Sequence, residues 1–99
     1  MRIWGKVLIN HKVRRDVIGE YPASWALDKD GWEEIIHDLC QQLDLSRPVL
    51  LEKHYRDLKQ FSRVVFKPDD FMESVDFDQF EVEMIQEKKK RSNDPYAWA

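Results

Sequence analysis

His37 and Cys40 stand three residues apart, a spacing that makes them neighbours on one face of a helix. An imidazole beside a thiol can hold zinc or activate the sulfur as a nucleophile. Zinc needs a fuller ligand set, and this chain has a single cysteine and no motif that brings His11 or His54 to join the pair. A boundary histidine next to a small core side chain is the reading that fits better.

Asp69, Asp70, Glu73, Asp76 and Asp78 form a second group, dense enough to suggest a divalent cation, because hard cations take several carboxylate oxygens. The spacing is not that of a calcium loop. There is no glycine for the sharp turn, and Phe71, Phe77 and Phe80 interrupt the run. A solvated acidic rim is the simpler expectation. The same carboxylates could form an acid and base pair, although nothing in the sequence separates their pKa values. A metal-dependent enzyme or cation-binding module using residues 69–78 is one alternative function.

The third group is basic. Arg2, Lys6, Lys12, Arg14 and Arg15, with Trp4 among them, look like a sheet face that holds nucleic acid by phosphate contacts and stacking. A net charge of −3 and a pI near 5.6 work against binding a polyanion. A nucleic-acid binder acting through the N-terminal hairpin is therefore the second alternative. The three glycines, Gly5, Gly19 and Gly31, are scattered and make no phosphate loop, and no serine nucleophile motif occurs. No catalytic residue is assigned and no cofactor is implied.

The elements that position these groups must fit in one domain, since 99 residues with 42% hydrophobic content support one modest core. No apolar run approaches the ~20 residues of a membrane span, and Met1-Arg2-Ile3-Trp4-Gly5-Lys6 has neither the apolar stretch nor the cleavage site of a signal peptide. A soluble cytoplasmic protein with no membrane association is expected.

The strongest pattern runs from Asp30 to Leu45, where Trp32, Ile35, Ile36, Leu39, Cys40 and Leu43 recur at helical spacing on one face. Asp30 followed by Glu33 matches a capping box, which starts the helix near Gly31, and Ser46-Arg47-Pro48 stops it. Before it, Met1 to Tyr21 reads as strand, turn, strand. With Asn10-His11-Lys12 as the loop, Arg2 faces Glu20, Trp4 faces Ile18, Lys6 faces Asp16 and Val7 meets Arg15; Ile9 would face Val13. Lys12 suits the left-handed position of such a loop poorly, so a bulge is allowed for. Ser24 starts a short extra turn, with Trp25 and Leu27 packed beneath the long helix.

After it, Val49-Leu50-Leu51 reads as a short buried strand, and a second helix follows from about Lys53 to Phe61 with Leu51, Tyr55, Leu58 and Phe61 in line. Arg63 to Phe66 is a further strand, and Pro68 to Glu73 a single helical turn with Phe71, Met72 and Val75 inward. Phe80 to Glu87 closes the fold as a strand with one buried face. The fold class is α+β: an antiparallel or mixed sheet opened by the N-terminal hairpin, covered by a long helix at about 30–45 and a shorter one at about 53–61. Residues 1–87 form the domain. Residues 88–99, beginning Lys88-Lys89-Lys90-Arg91, read as a basic, flexible tail.

Asp44-Leu45-Ser46-Arg47-Pro48-Val49-Leu50-Leu51-Glu52-Lys53, then Arg63-Val64-Val65-Phe66 and Asp69-Asp70-Phe71-Met72-Glu73, together with the opening Arg2-Ile3-Trp4-Gly5-Lys6, resemble a family of short Firmicutes proteins to which no activity is assigned. The resemblance spans most of residues 1–87, implies a bacterial cytoplasmic protein and transfers no site.

The function expected first is a non-catalytic interaction module, working by binding a protein or by pairing as a homodimer. Its candidate surface is the sheet face carrying Trp4, Leu8 and Ile18, ringed by charged pairs. Whether that face is open depends on whether the second helix crosses to it.

Overall fold

The computed structural model describes residues 1–85. The tail at 88–99, the expected end of the last strand at Glu87 and the domain boundary there lie outside the described residues. Four strands and two helices make an α+β fold: β1 (Arg2–Ile9), β2 (Lys12–Glu20), α1 (Lys29–Gln42), α2 (Glu52–Phe61), β3 (Arg63–Phe66) and β4 (Gln79–Ile85), with 3-10 turns at Ala23–Leu27 and Pro68–Asp70. The sheet is antiparallel throughout, in the order β2-β1-β4-β3.

The hairpin has the expected pairing over its open end, with Arg2 opposite Glu20, Trp4 opposite Ile18, Lys6 opposite Asp16 and Val7 opposite Arg15. Its loop is shorter than the sequence implied. Asn10 and His11 both take the left-handed conformation, at φ 53° and 66°, which makes a two-residue turn whose twist matches the strands. Ile9 therefore faces Lys12, Leu8 faces Val13, and the register shifts between Val7 and Leu8 to absorb the extra residue as a bulge. Asp78 holds the tip, accepting from the Asn10 N–H at 2.6 Å while its own N–H donates to the Leu8 carbonyl at 2.9 Å.

All six residues of the α1 stripe are buried. The helix begins two residues earlier than expected, at Lys29, because Asp28, not Asp30, accepts from the Gly31 N–H at 2.8 Å. It also ends earlier, at Gln42. Asp44 turns left-handed at φ 58°, so that its N–H donates to the Gln41 carbonyl and the Leu45 N–H reaches the Cys40 carbonyl at 2.8 Å, which closes the helix before Pro48 is met.

Several local expectations change. Val49-Leu50-Leu51 is not a strand: Pro48 has no N–H to extend a ladder, and only an isolated bridge from Pro48 to Phe71 forms. In α2 the buried pair is His54 and Leu58, whereas Leu51 and Phe61 are exposed. The tight link to β3 through a single left-handed Ser62, at φ 58°, sets that rotation. Met72 points to solvent at 85% exposure although Phe71 is buried, and Leu27 is exposed, with Trp25 stacked on Tyr21 at 5.9 Å.

Along the strands, Ile3, Val7, Val64, Phe66, Phe80 and Val82 point to one face and are buried. Both helices lie on that face. Leu39 of α1 approaches Gly5 and Phe80, and His54 of α2 sits on Phe66 with ring centroids 4.6 Å apart. Phe66 in turn stacks on Phe80 at 6.1 Å and meets Phe71 edge-on at 6.5 Å. Among the described residues no helix is long and apolar enough to cross a membrane.

Candidate functional site on the uncovered sheet face

With both helices on one side, strand alternation places Trp4, Lys6, Leu8, Ile18, Val65, Glu81 and Glu83 on the other. Nothing among the described residues lies over them as a second layer. Ile18 and Val13 are about half exposed, at 51% and 48%, and Trp4 and Leu8 are half-buried by their strand neighbours. The expected patch residues Trp4, Leu8 and Ile18 thus share this face, with Trp4 and Ile18 directly opposite each other.

The charges around them are arranged differently from the hairpin expectation. Arg2 does pair with Glu20, loosely at 3.6 Å. Lys6 does not turn to Asp16. Its Nζ donates to Glu83 at 3.0 Å and lies 3.2 Å from Glu81, both on β4, and sits 4.1 Å over the Trp4 ring. The Asp16 carboxylate accepts from the Trp4 Nε1–H at 2.9 Å instead. Arg63 on β3 completes the row, 2.8 Å from Glu81. Burial of Lys6 pulls its pKa down, but the hydrogen bonds and charges of Glu83 and Glu81 outweigh that and hold it above the ordinary lysine value. A row of Trp4, Lys6, Glu83, Glu81 and Arg63 therefore crosses three strands, and its charges neutralise one another locally.

The row is out of reach of local sequence patterns, because it depends on β1 pairing with β4, which brings Lys6 to Glu83 77 residues further along the chain. The signal the sequence carries is the alternation of Glu81 and Glu83 with buried Phe80 and Val82 and partly buried Met84.

The other groups are dispersed. Cys40 is buried, and burial pushes its thiol pKa up to about 12, with Arg47 opposing weakly. His37, half-buried in the middle of α1, lies in a shallow hollow with Tyr21, Trp25 and Asp38, where the Tyr21 hydroxyl donates to Asp38 at 2.6 Å and Gln42 donates to the same oxygen at 2.8 Å. The acidic run does not converge: Asp70 caps the turn at Lys67, Asp78 holds the hairpin tip, and Asp69, Glu73 and Asp76 face solvent. Among the described residues, no three His, Cys, Asp or Glu side chains are grouped to hold a metal ion. The basic set also separates, since Arg15 turns to the helix side and donates to the Leu43 carbonyl at 2.8 Å.

One arrangement had no counterpart in the sequence reading. His54, 2% exposed, accepts from the Leu51 N–H at 2.9 Å through Nδ1, so its neutral form carries the proton on Nε2. Nε2 is 3.4 Å from Asp70 but makes no well-formed hydrogen bond. Burial lowers the His54 pKa, with Asp70 acting in the opposite direction. The Leu51–His54 contact closes the first turn of α2 as a helix cap.

Compared with protein-family models, with curated proteins and with solved structures, the chain finds no match.

Proposed function

We propose that this chain is a small non-catalytic interaction module whose uncovered sheet face, centred on Trp4, Leu8 and Ile18, receives a protein partner. The observation that supports it is the placement of both helices on the opposite face, which leaves an aromatic and β-branched pair at Trp4 and Ile18 without a second layer among the described residues. Trp4 and Ile18 make a small apolar pair, with Lys6 between Trp4 and Leu8 along β1 and held by Glu81 and Glu83, and such a layout suits recognition because those charges need little rearrangement on binding. A bacterial cytoplasmic setting, as in the Firmicutes proteins it resembles, is part of the same proposal. Cation binding by residues 69–78 and nucleic-acid binding by the hairpin receive no comparable support, since the first set is scattered and Lys6 is committed to β4.

The test is Trp4→Ala. As a surface anchor it should leave a folded chain, less stable by about 1–2 kcal/mol from the lost indole contacts, and should weaken capture of the partner from a host extract. A loss of ~3–5 kcal/mol with partner capture unchanged would identify Trp4 as core and end this reading.

A further inference from the structure

The sheet has two open edges, and they differ in what they offer. On β3 the Ser62 carbonyl accepts from the Met84 N–H, so the bonding pairs step to Val64 and Phe66, and the outward groups belong to Arg63, Val65 and Lys67. Lys67 is already used, its N–H donating to Asp70 Oδ2 and its carbonyl accepting from the Asp70 N–H, both at 2.9 Å. That edge is short and closed at one end.

The β2 edge is long and regular beyond its bulge. Met1 and Tyr21 exchange both backbone bonds, at 2.8 and 2.9 Å, so the bonded pairs step to Gly19, Val17 and Arg15. The N–H and C=O groups of Asp16, Ile18 and Glu20 therefore point outward, away from β1. No helix or loop among the described residues covers them, and Ile18 carries an exposed β-branched side chain there.

The charges on β2 are also sorted: Lys12, Arg14 and Arg15 lie at its beginning, Asp16 and Glu20 toward its end. Mixed charges on an edge strand usually discourage pairing. An antiparallel strand of identical sequence is the case in which they become complementary, because its basic end lies against the acidic end of the first.

We propose that β2 pairs antiparallel with β2 of a second copy about a two-fold axis, joining two four-stranded sheets into one. Outward groups must face outward groups, which restricts the register to steps of two. With the axis at Val17, Asp16 of each copy bonds to Ile18 of the other, and Glu20 comes near Arg14, the extra residue of the bulge. A shift of two in one direction sets Asp16 against Asp16, and in the other sets Asp16 against Glu20; like charges directly opposite destabilise both. Of these three registers the one centred on Val17 is the one without like charges opposed, and it has about four backbone hydrogen bonds at its centre. This contact uses the strand edge and does not require that the Trp4 face bind anything.

Sedimentation equilibrium of the full chain, up to about 1 mM, provides the test. The parent chain should form a dimer. Arg14→Glu and Glu20→Arg should each weaken it about ten-fold or more, since the symmetry duplicates every reversed contact, and the two together should restore it to within a few-fold of the parent. Ile18→Pro should abolish the dimer while leaving β1 paired, because the N–H it removes points outward. A monomeric parent overturns the proposal. So does a dimer indifferent to the single reversals, or one not rescued by the double exchange. A dimer lost in Trp4→Ala but kept in both reversals would place the contact on the sheet face and overturn it as well.

Discussion

Trp4 donates its indole N–H to Asp16 across the β1–β2 pair at 2.9 Å, although Asp16 stands opposite Lys6 and not opposite Trp4. The diagonal reach frees Lys6 to turn to Glu81 and Glu83, and lets its ammonium lie over the ring that Asp16 holds in place. The indole is thus fixed at its edge by a carboxylate and at its face by a cation. Asp16→Ala should lower stability by only about 0.5–1 kcal/mol, since the bond is exposed. Asp16→Asn keeps an acceptor and should cost less. In a double-mutant cycle with Trp4→Phe, chemical denaturation should give a coupling near 0.5–1 kcal/mol, and none at all would show that the contact does not order the indole.

How far the sequence could be read follows from the range of the interactions. The α1 stripe and the Arg2–Glu20 and Trp4–Ile18 pairings depend on residues within twenty positions, and they fold as their spacing implies. Element ends shift by one or two residues where neighbours compete for one role. Asp28 and Asp30 both suit an N-cap, and the extended backbone at Asp28 decides between them. The buried face of α2 is not the one its own periodicity implies, because Ser62 and the ring of Phe66 turn His54 inward in place of Phe61. The Lys6 network was illegible for a different reason: opposite charges in a hairpin form an obvious pair, and only the β1–β4 register reveals two better partners.

Gly31 is required by a close approach. A Cβ built there would run into the Trp25 carbonyl oxygen, and backbone cannot move aside as a side-chain end can. Alanine in a helix is otherwise favoured over glycine by about 1 kcal/mol. The clash should outweigh that gain, so Gly31→Ala is expected to destabilise by a net ~2 kcal/mol or more, measured by urea denaturation. A stabilised variant would mean that the turn at Ala23–Leu27 does not hold its place against α1.

Cys40 should be inert. It is 1% exposed on the α1 stripe, and a thiol pKa near 12 leaves almost no thiolate at neutral pH. In native buffer a thiol reagent should react far more slowly than with the urea-unfolded chain. Rapid stoichiometric labelling of the folded protein would contradict both the burial and the raised pKa.

His54 should make stability depend on pH near neutrality. Its ordinary value is 6.5, and burial lowers it in the fold, so between the folded and unfolded values the unfolded chain binds more protons. Stability therefore rises with pH across that interval and falls as pH drops from about 7 through 6.5 toward the lower folded value, below which this contribution stops changing. Protonation is resisted because a second N–H would form on Nδ1, which now accepts from Leu51, while the nearby Asp70 softens the effect from the Nε2 side. Glutamine at this third helical position can reach back to the same N–H without titrating. His54→Gln should accordingly flatten the slope of unfolding free energy between pH 7 and 5, while carboxylate titration continues to act at lower pH in both proteins. An equal slope in parent and variant would show that the buried imidazole is not what couples this fold to pH.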